Sequence, residues 1–408
     1  MIRILHTADV HLDSPLKSLA MRDAELRDQV RTASRAAFVR LVDYAIAEGV
    51  AALLIAGDLF DGNERSARTA AFLTLQLERL RERDIRVFYI KGNHDAENPL
   101  TGELDLPGNV HVFDGRGGKV QLAENVWIHG VSFASRHAPD SLLAKFHAPV
   151  GGAINIAMLH TSLAGAEGHD LYAPCAVSDL AVAGFDYWAL GHVHRRQVHS
   201  QSPWIVMPGM PQGRDIGEAG PKSATLLTIG DTVDIAEVPT SVVEFLDVRI
   251  DVTDAKSDDA LRDLMRRRLR ALARDLVSDS AVVRLHVSGR TARRWQILRD
   301  QDVWAETASE YARETGRLWL DKIVFALSDG AEPGQTATDE LAAIMATIRG
   351  EIGFSESCRT ELEELLKELP PQRRAELLPD ASASAELAQR LAANGADRIL
   401  AQMKGAAS

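Results

Sequence analysis

The sequence predicts an α/β protein followed by a small α+β domain and a helical C-terminal region. Three observations carry this. Short apolar runs alternate with amphipathic segments through residue 90. The pattern changes after Pro239-Thr240-Ser241, and beyond residue 338 the chain is rich in Ala, Leu and Glu.

The first domain is expected over residues 1–240. Arg3-Ile4-Leu5-His6-Thr7 reads as a buried strand. Helical spacing of Phe38, Leu41, Val42, Ala45 and Ile46 predicts a helix over Asp28–Glu48, which Gly49 stops. The apolar run 51–56 predicts a strand ahead of Gly57-Asp58. Leu73, Leu77 and Leu80 place one face on a helix over Glu64–Arg83, and 85–90 is the next strand. Strand, helix, strand, helix, strand implies right-handed crossovers and a largely parallel sheet. Further strands are expected at Val126–Val131, Ile154–His160 and Tyr187–Gly191, with a hairpin of Ala224–Ile229 and Val233–Val238 around Gly230-Asp231.

A second domain over 241–330 is built from strands at Phe245–Val252, Ala281–Val287 and Leu318–Leu327. Helices at Asp258–Leu276 and, with a break, Ala292–Arg313 complete it. Gly330, Pro333 and Gly334 mark a linker over Ser328–Thr338, and residues 331–408 are helical with interruptions at Pro370-Pro371 and near Pro379.

Composition narrows the function classes. With 46% hydrophobic and 25% charged residues the chain is an ordinary globular sequence, and no run approaches the ~20 apolar residues of a membrane helix. The N-terminus turns polar too early for a secretion signal. The only cysteines, Cys175 and Cys358, are too few for a thiolate zinc site and lie far apart, so a reducing cytoplasm is expected. A formal net charge of -12 argues against wrapping nucleic acid by bulk charge, though not against an enzyme acting on it, since carboxylates that hold metal ions count in that sum.

Each strand end of the first domain delivers metal-capable side chains: Asp9-Val10-His11, Gly57-Asp58-Leu59-Phe60-Asp61, Gly92-Asn93-His94-Asp95, His160, and Gly191-His192-Val193-His194. Ligands gather at the carboxyl ends of strands because the sheet is rigid there and the loops vary freely. Carboxylate, imidazole and amide oxygen without thiolate suit manganese, iron, zinc or magnesium in a dinuclear site that activates water against a phosphoester. A single Gly-Asp or His-x-His is ordinarily a turn or a surface pair; five such blocks in order reverse that reading. His6, His111, His129, His137, His147, His169, His199 and His286 carry no motif and read as structural, with His169 in a glycine-rich loop.

These five blocks resemble the calcineurin-like metallophosphoesterase superfamily. Gly57-Asp58-Leu59-Phe60-Asp61 is similar to the DNA-repair nucleases of the SbcD type. His11-Leu12-Asp13-Ser14-Pro15 and Pro208-Gly209-Met210-Pro211-Gln212-Gly213-Arg214-Asp215 look most like the YhaO branch. The phosphatases' arginine is missing after Asp61, where Gly62 stands. The resemblance is specific over 1–240, looser to 330, and slight beyond. It implies a metallophosphoesterase β-sandwich flanked by helices, with a cap domain shaping access for DNA. Carried over by position, Asp9, His11 and His194 would hold one ion, Asn93, His160 and His192 a second, and Asp58 both; the ions are expected to be Mn2+. His94 would orient the phosphate and protonate the leaving oxygen, oriented by Asp61, with Asp95 as a rival. Arg195, Arg196 and Arg214 are candidates for phosphate contact.

The implied function is a metal-dependent DNA exonuclease or endonuclease, the nuclease subunit of an SbcCD-like repair complex with an SbcC- or YhaN-like ATPase. Homodimerisation near the Asp28–Glu48 helix is a further expectation, and no membrane partner is expected. A small-nucleotide phosphodiesterase or phosphatase, and a non-catalytic subunit of an ATPase complex, are the alternatives. The arginine run Arg266-Arg267-Arg268 reads as a solvated helix face, Trp295, Trp304 and Trp319 as core of the small domain, and the C-terminal leucines as a partner interface.

Overall fold

A computed structural model describes the chain apart from residues 15–23, 62–65, 97, 99–104, 164–171, 330–336, 372–373, 375–376, 379 and 406–408. Pro15, Gly62, His169 with its loop, and most of the expected linker therefore lie outside the described residues. The chain divides into two compact units. One is Met1–Asp247 with Ala273–Val283 and Arg317–Asp321; the other is Val248–Leu272, Arg284–Gly316 and Lys322–Ser408.

The first unit is mixed α/β around two six-stranded sheets. β1 (Ile2–Thr7), β2 (Ala52–Ala56), β3 (Arg86–Ile90) and β4 (Val110–Val112) run parallel, and the hairpin β11 (Ser223–Ile229) and β12 (Val233–Pro239) continues the sheet antiparallel from β1. The second sheet has the order β5 (Gly118–Ala123), β6 (Val126–Val131), β7 (Ile154–His160), β8 (Tyr187–Gly191), β10 (Trp204–Met207), β9 (Gln197–Gln201). The expected crossovers are present in α1 (Ala24–Glu48) and α2 (Ala67–Arg81), and the one-turn α3 (Asn93–Ala96) follows β3, but antiparallel pairs make the sheets less parallel than the strand-helix alternation implied. Ser66 caps α2, its hydroxyl accepting from the Thr69 N–H.

Layering follows from which residues are apolar on each strand face. Ile4, Leu54, Phe88 and Leu227 of the first sheet meet Ile128, Ile156, Met158 and Tyr187 of the second in one buried cluster. On the outer face of the first sheet Leu5, Leu53 and Val87 pack against Phe38 and Leu41 of α1 and Leu73 and Leu77 of α2. On the outer face of the second, Ala157, Leu159 and Trp188 meet Leu180 of the short helix α4 (Val177–Val182). This is a β-sandwich flanked by helices, with strand ends of both sheets free to build a site.

A third sheet has the order β13 (Val243–Asp251), β14 (Ser280–Thr291), β15 (Leu318–Asp329). The second unit further holds α5 (Asp258–Asp275) up to Leu272, α6 (Arg294–Arg299), α7 (Gln301–Glu314) and three C-terminal helices, α8 (Ala337–Arg349), α9 (Ile352–Leu366) and α10 (Ala381–Gly405). The helix expected over 292–313 is broken at Asp300, which stands between the halves with its carboxylate held by Arg299. Trp304 is buried, Trp295 donates to Asp329, and Arg266 lies over the Tyr311 ring with Glu314 at 3.7 Å. α10 packs on α6, α8 and α9. Leu362 and Leu400 are buried there, whereas Leu365 and Leu391 face solvent. Among the described residues no helix is long and apolar enough to cross a membrane.

Candidate metal centre

The loops after β1 and β2 are zipped together by their backbones. Asp9 N–H donates to Gly57 O, His11 N–H to Asp58 O and Leu12 N–H to Leu59 O, at 3.0, 3.1 and 3.0 Å. The zip sets Asp9 and His11 beside Asp58. Asp9, His11, Asp58 and His192 all have positive φ, a conformation non-glycine residues rarely hold without support. Part of that support is polar: His192 N–H donates to Asp9 Oδ2 at 3.0 Å, and His94 N–H to Asp58 Oδ1 at 3.0 Å. His160 ends β7 in register with Gly191 of β8, so the second sheet presents His160, His192 and His194 against the first.

Three groups of ligand atoms result: Asp9, His11 and His194; His11, Asp58 and His94; Asp58, His160 and His192. Within each group the atoms lie within 4.8 Å of one another, and Asp58 with His11 connects the groups. Asn93 of the Gly92-Asn93-His94 motif places Oδ1 3.1 Å from His160 Nε2.

The donor chemistry fits divalent cations. His160 Nδ1 stands 2.9 Å from Ala56 O, and donating there leaves the lone pair on Nε2. That Nε2 faces Asn93 Oδ1 and, at 3.3 Å, Asp58 Oδ2, so three electron-rich atoms converge. His11 Nε2 and His194 Nε2 converge likewise at 3.2 Å. A hydrogen shared between such atoms holds them together in the metal-free chain, and a divalent cation would take its place when bound. Burial opposes charge on His160, yet Asp58 and Asp9 outweigh it and lift its pKa to about 9. Asp58 is itself pushed up by burial but held below the usual carboxylate range by His160 and His11.

His94 lines an open cavity of about 800 Å³ together with Asp58, Asn93, His192 and His194. Its Nδ1 is 3.4 Å from Asp61 Oδ1, which also lies 3.5 Å from His11 Nδ1, and Ser14 donates to Asp61 Oδ2 at 2.7 Å. Burial lowers the His94 pKa, with Asp58 and Asp61 acting in the opposite direction. Asp95 has another place: it accepts from the backbone N–H groups of Leu59, Phe60 and Gly92, tying the two loops together. Burial and then Asp58 raise its pKa to about 6.

Sequence reasoning missed Glu218. It sits on a one-turn 3-10 helix, Ile216–Glu218, begun by Asp215, whose carboxylate accepts from Gly217 N–H. Its Oε1 is 2.6 Å from His194 Nδ1 and 2.9 Å from Arg214 Nη2, and Arg214 N–H donates to its Oε2 at 2.7 Å. Arg214 is thus engaged by a carboxylate behind His194. Of the other two arginines, Arg195 lines the cavity, while Arg196 donates to Thr225 Oγ1 at 2.5 Å and has Glu237 at 3.4 Å.

Comparison with known proteins agrees with the resemblance carried by the motifs. Residues 2–196 match the calcineurin-like phosphoesterase family, and residues 245–328 match a family described as metallophosphoesterase YhaO, middle domain. The uncharacterized metallophosphoesterase YhaO of Bacillus subtilis (strain 168) is 36% identical over 275 residues, 64% of this chain and 65% of that protein. The DNA double-strand break repair protein Mre11 of Sulfolobus acidocaldarius is 30% identical over 213 residues, 48% of this chain and 50% of that protein. Mre11 of Sulfurisphaera tokodaii is 28% identical over 207 residues, with the same two shares. The chain spans between half and two thirds of the length of these relatives.

Proposed function

For a chain that carries a calcineurin-like phosphoesterase domain and a YhaO middle domain, we propose hydrolysis of DNA phosphodiester bonds with two divalent ions, Mn2+ in this reading. The observation that carries it is the position of Asp58, shared between ligand groups that include His11 on one side and His160 and His192 on the other, with His94 facing the same cavity. Asp9, His11 and His194 would hold one ion, Asn93, His160 and His192 the other, and Asp58 both. When bound, such ions neutralise phosphoryl oxygens and bring a water to a reactive pKa.

The remaining steps belong to side chains. His94 is partly exposed to the cavity and has a carboxylate, Asp61, at 3.4 Å. In this reading it would give its proton to the departing oxygen, as a general acid. Arg195 on the cavity wall would contact the phosphate backbone. Mre11, the name of two relatives, supports DNA as the substrate. The biological unit in this proposal is an SbcCD-like complex with an SbcC- or YhaN-like ATPase, which would add positive surface to a chain of net charge -12.

The test is incubation of end-labelled duplex DNA with the purified chain and Mn2+, beside His94→Gln. Metal-dependent cleavage, lost in the variant while metal stays bound, is the expected result. Hydrolysis of a phosphomonoester in preference to bis-p-nitrophenyl phosphate and DNA would overturn the reading in favour of a phosphatase.

A further inference from the structure

A second, smaller cavity of about 190 Å³ adjoins the metal centre, and the two share His194, Arg195, Ala219 and Lys222 in their walls. Its polar side chains are His194, Arg195, Arg196, Lys222 and Ser223, and among the described residues no carboxylate lines it. Carboxylates stand beyond its wall: Glu237 lies 3.4 Å from Arg196, and Glu218 and Glu244 act on Lys222, so Arg195 and Lys222 are the cations that a ligand would meet. The three cations are carried by rigid backbone. Arg196 leads into β9 and is fixed by Thr225 on β11. Lys222 precedes β11, with its N–H donating to Ser241 Oγ at 3.0 Å and its Nζ to Ala219 O at 3.1 Å. Gly209 closes the wall at positive φ, and a Cβ there would strike the backbone of Arg196 and His194 at 2.8 Å.

We propose that this cavity is a subsite for a second phosphate group, next to the one held at the metal centre, with Lys222 and Arg195 as its cations. A ligand that spans both adjoining cavities would carry two phosphates, which a polynucleotide offers at every nucleotide. This deepens the phosphodiesterase reading and rests on it for the occupant of the first cavity. Charge-assisted bonds from a partly buried lysine and an arginine are the strong class, enough for about a tenfold gain in affinity.

The experiment is calorimetric binding to the Mn2+-loaded chain, with thymidine 3′,5′-bisphosphate compared with thymidine 5′-monophosphate and thymidine 3′-monophosphate. The bisphosphate is expected to bind about tenfold more tightly than either monophosphate. Lys222→Gln should abolish that advantage, and Lys222→Arg should keep it, which separates loss of charge from loss of fold. Equal affinity for the bisphosphate and the better monophosphate, or an advantage that survives in Lys222→Gln, overturns the subsite. Because no turnover is read, an advantage seen in a chain that cleaves no diester would leave the subsite standing and remove the nuclease reading instead.

Discussion

Glu218 Oε1 meets His194 Nδ1 at 2.6 Å, on the side of the ring opposite the Nε2 atom that faces His11. Arg214 Nη2 lies 3.1 Å from the same nitrogen, and the shorter contact to the carboxylate favours the tautomer in which Nδ1 carries the hydrogen and Nε2 is left as the donor atom for a metal. Arg214 balances the carboxylate from behind, so Glu218, although burial pushes it up, is held well below the usual carboxylate range by His194 and Arg214. Outer carboxylates of this kind commonly change metal affinity by about 10–100-fold. Glu218→Gln should therefore weaken one of two Mn2+ equivalents by that order in a calorimetric titration and leave the other within a few-fold. Two unchanged equivalents would show that His194 needs no such partner.

Asp61 faces two imidazoles, and its charge has a pH signature. Its negative charge favours the protonated form of His94, against the burial that lowers that pKa. An acid catalyst works below its pKa and fails above it. Removing the charge with Asp61→Asn should lower the His94 pKa further, so the alkaline limb of the kcat profile should move to lower pH. A limb that stays in place, or moves up, would assign it to another group.

Much of this site was legible because the chemistry lies beside the strands that carry it. Asp9, Asp58, Asn93, His160 and His192 each stand at or within three residues of a strand end, where an apolar run stops. Glu218 was not legible, because its role depends on a loop returning to His194 from 24 residues away. Arg214 looked like a free cation for the same reason. β4 and β9 carried no signal either: Val110–Val112 is three residues long, and Gln197–Gln201 is polar and largely exposed, so neither contains an apolar run.

Asp95 serves the frame rather than the cavity, and its removal should read out as stability. It accepts three backbone N–H groups, and leaving such donors buried without a partner costs about 1–3 kcal/mol each at most. Asp95→Ala should lower the unfolding free energy of the metal-free chain by a few kcal/mol in urea titration. The pH dependence has a definite sign. A folded pKa of about 6 lies above the ordinary aspartate value of 3.8, so the folded state binds the extra proton between them. Stability contributed by Asp95 is full below 3.8 and declines as pH rises through about 6. The difference between wild type and Asp95→Ala should shrink over that window.

Gly57 joins backbone conformation to metal binding. Its φ is +94°, and a Cβ at this position would overlap the Nδ1 edge of His160. That edge is the one bonded to Ala56 O, so the methyl group of Gly57→Ala cannot be accommodated by a small rotation without breaking the bond that orients the ring. The neighbouring Asp58 is itself held at φ +51°, so the turn has no slack to absorb the shift. Two separable effects are expected. Backbone strain should lower stability by roughly 1–3 kcal/mol in the metal-free chain, read by urea unfolding. Displacement of His160 should weaken the Mn2+ equivalent that His160, His192 and Asn93 would hold more than the one at His11 and His194, read by titration. Loss of stability with both equivalents intact would mean that His160 is positioned by β7 alone and not by the turn beneath it.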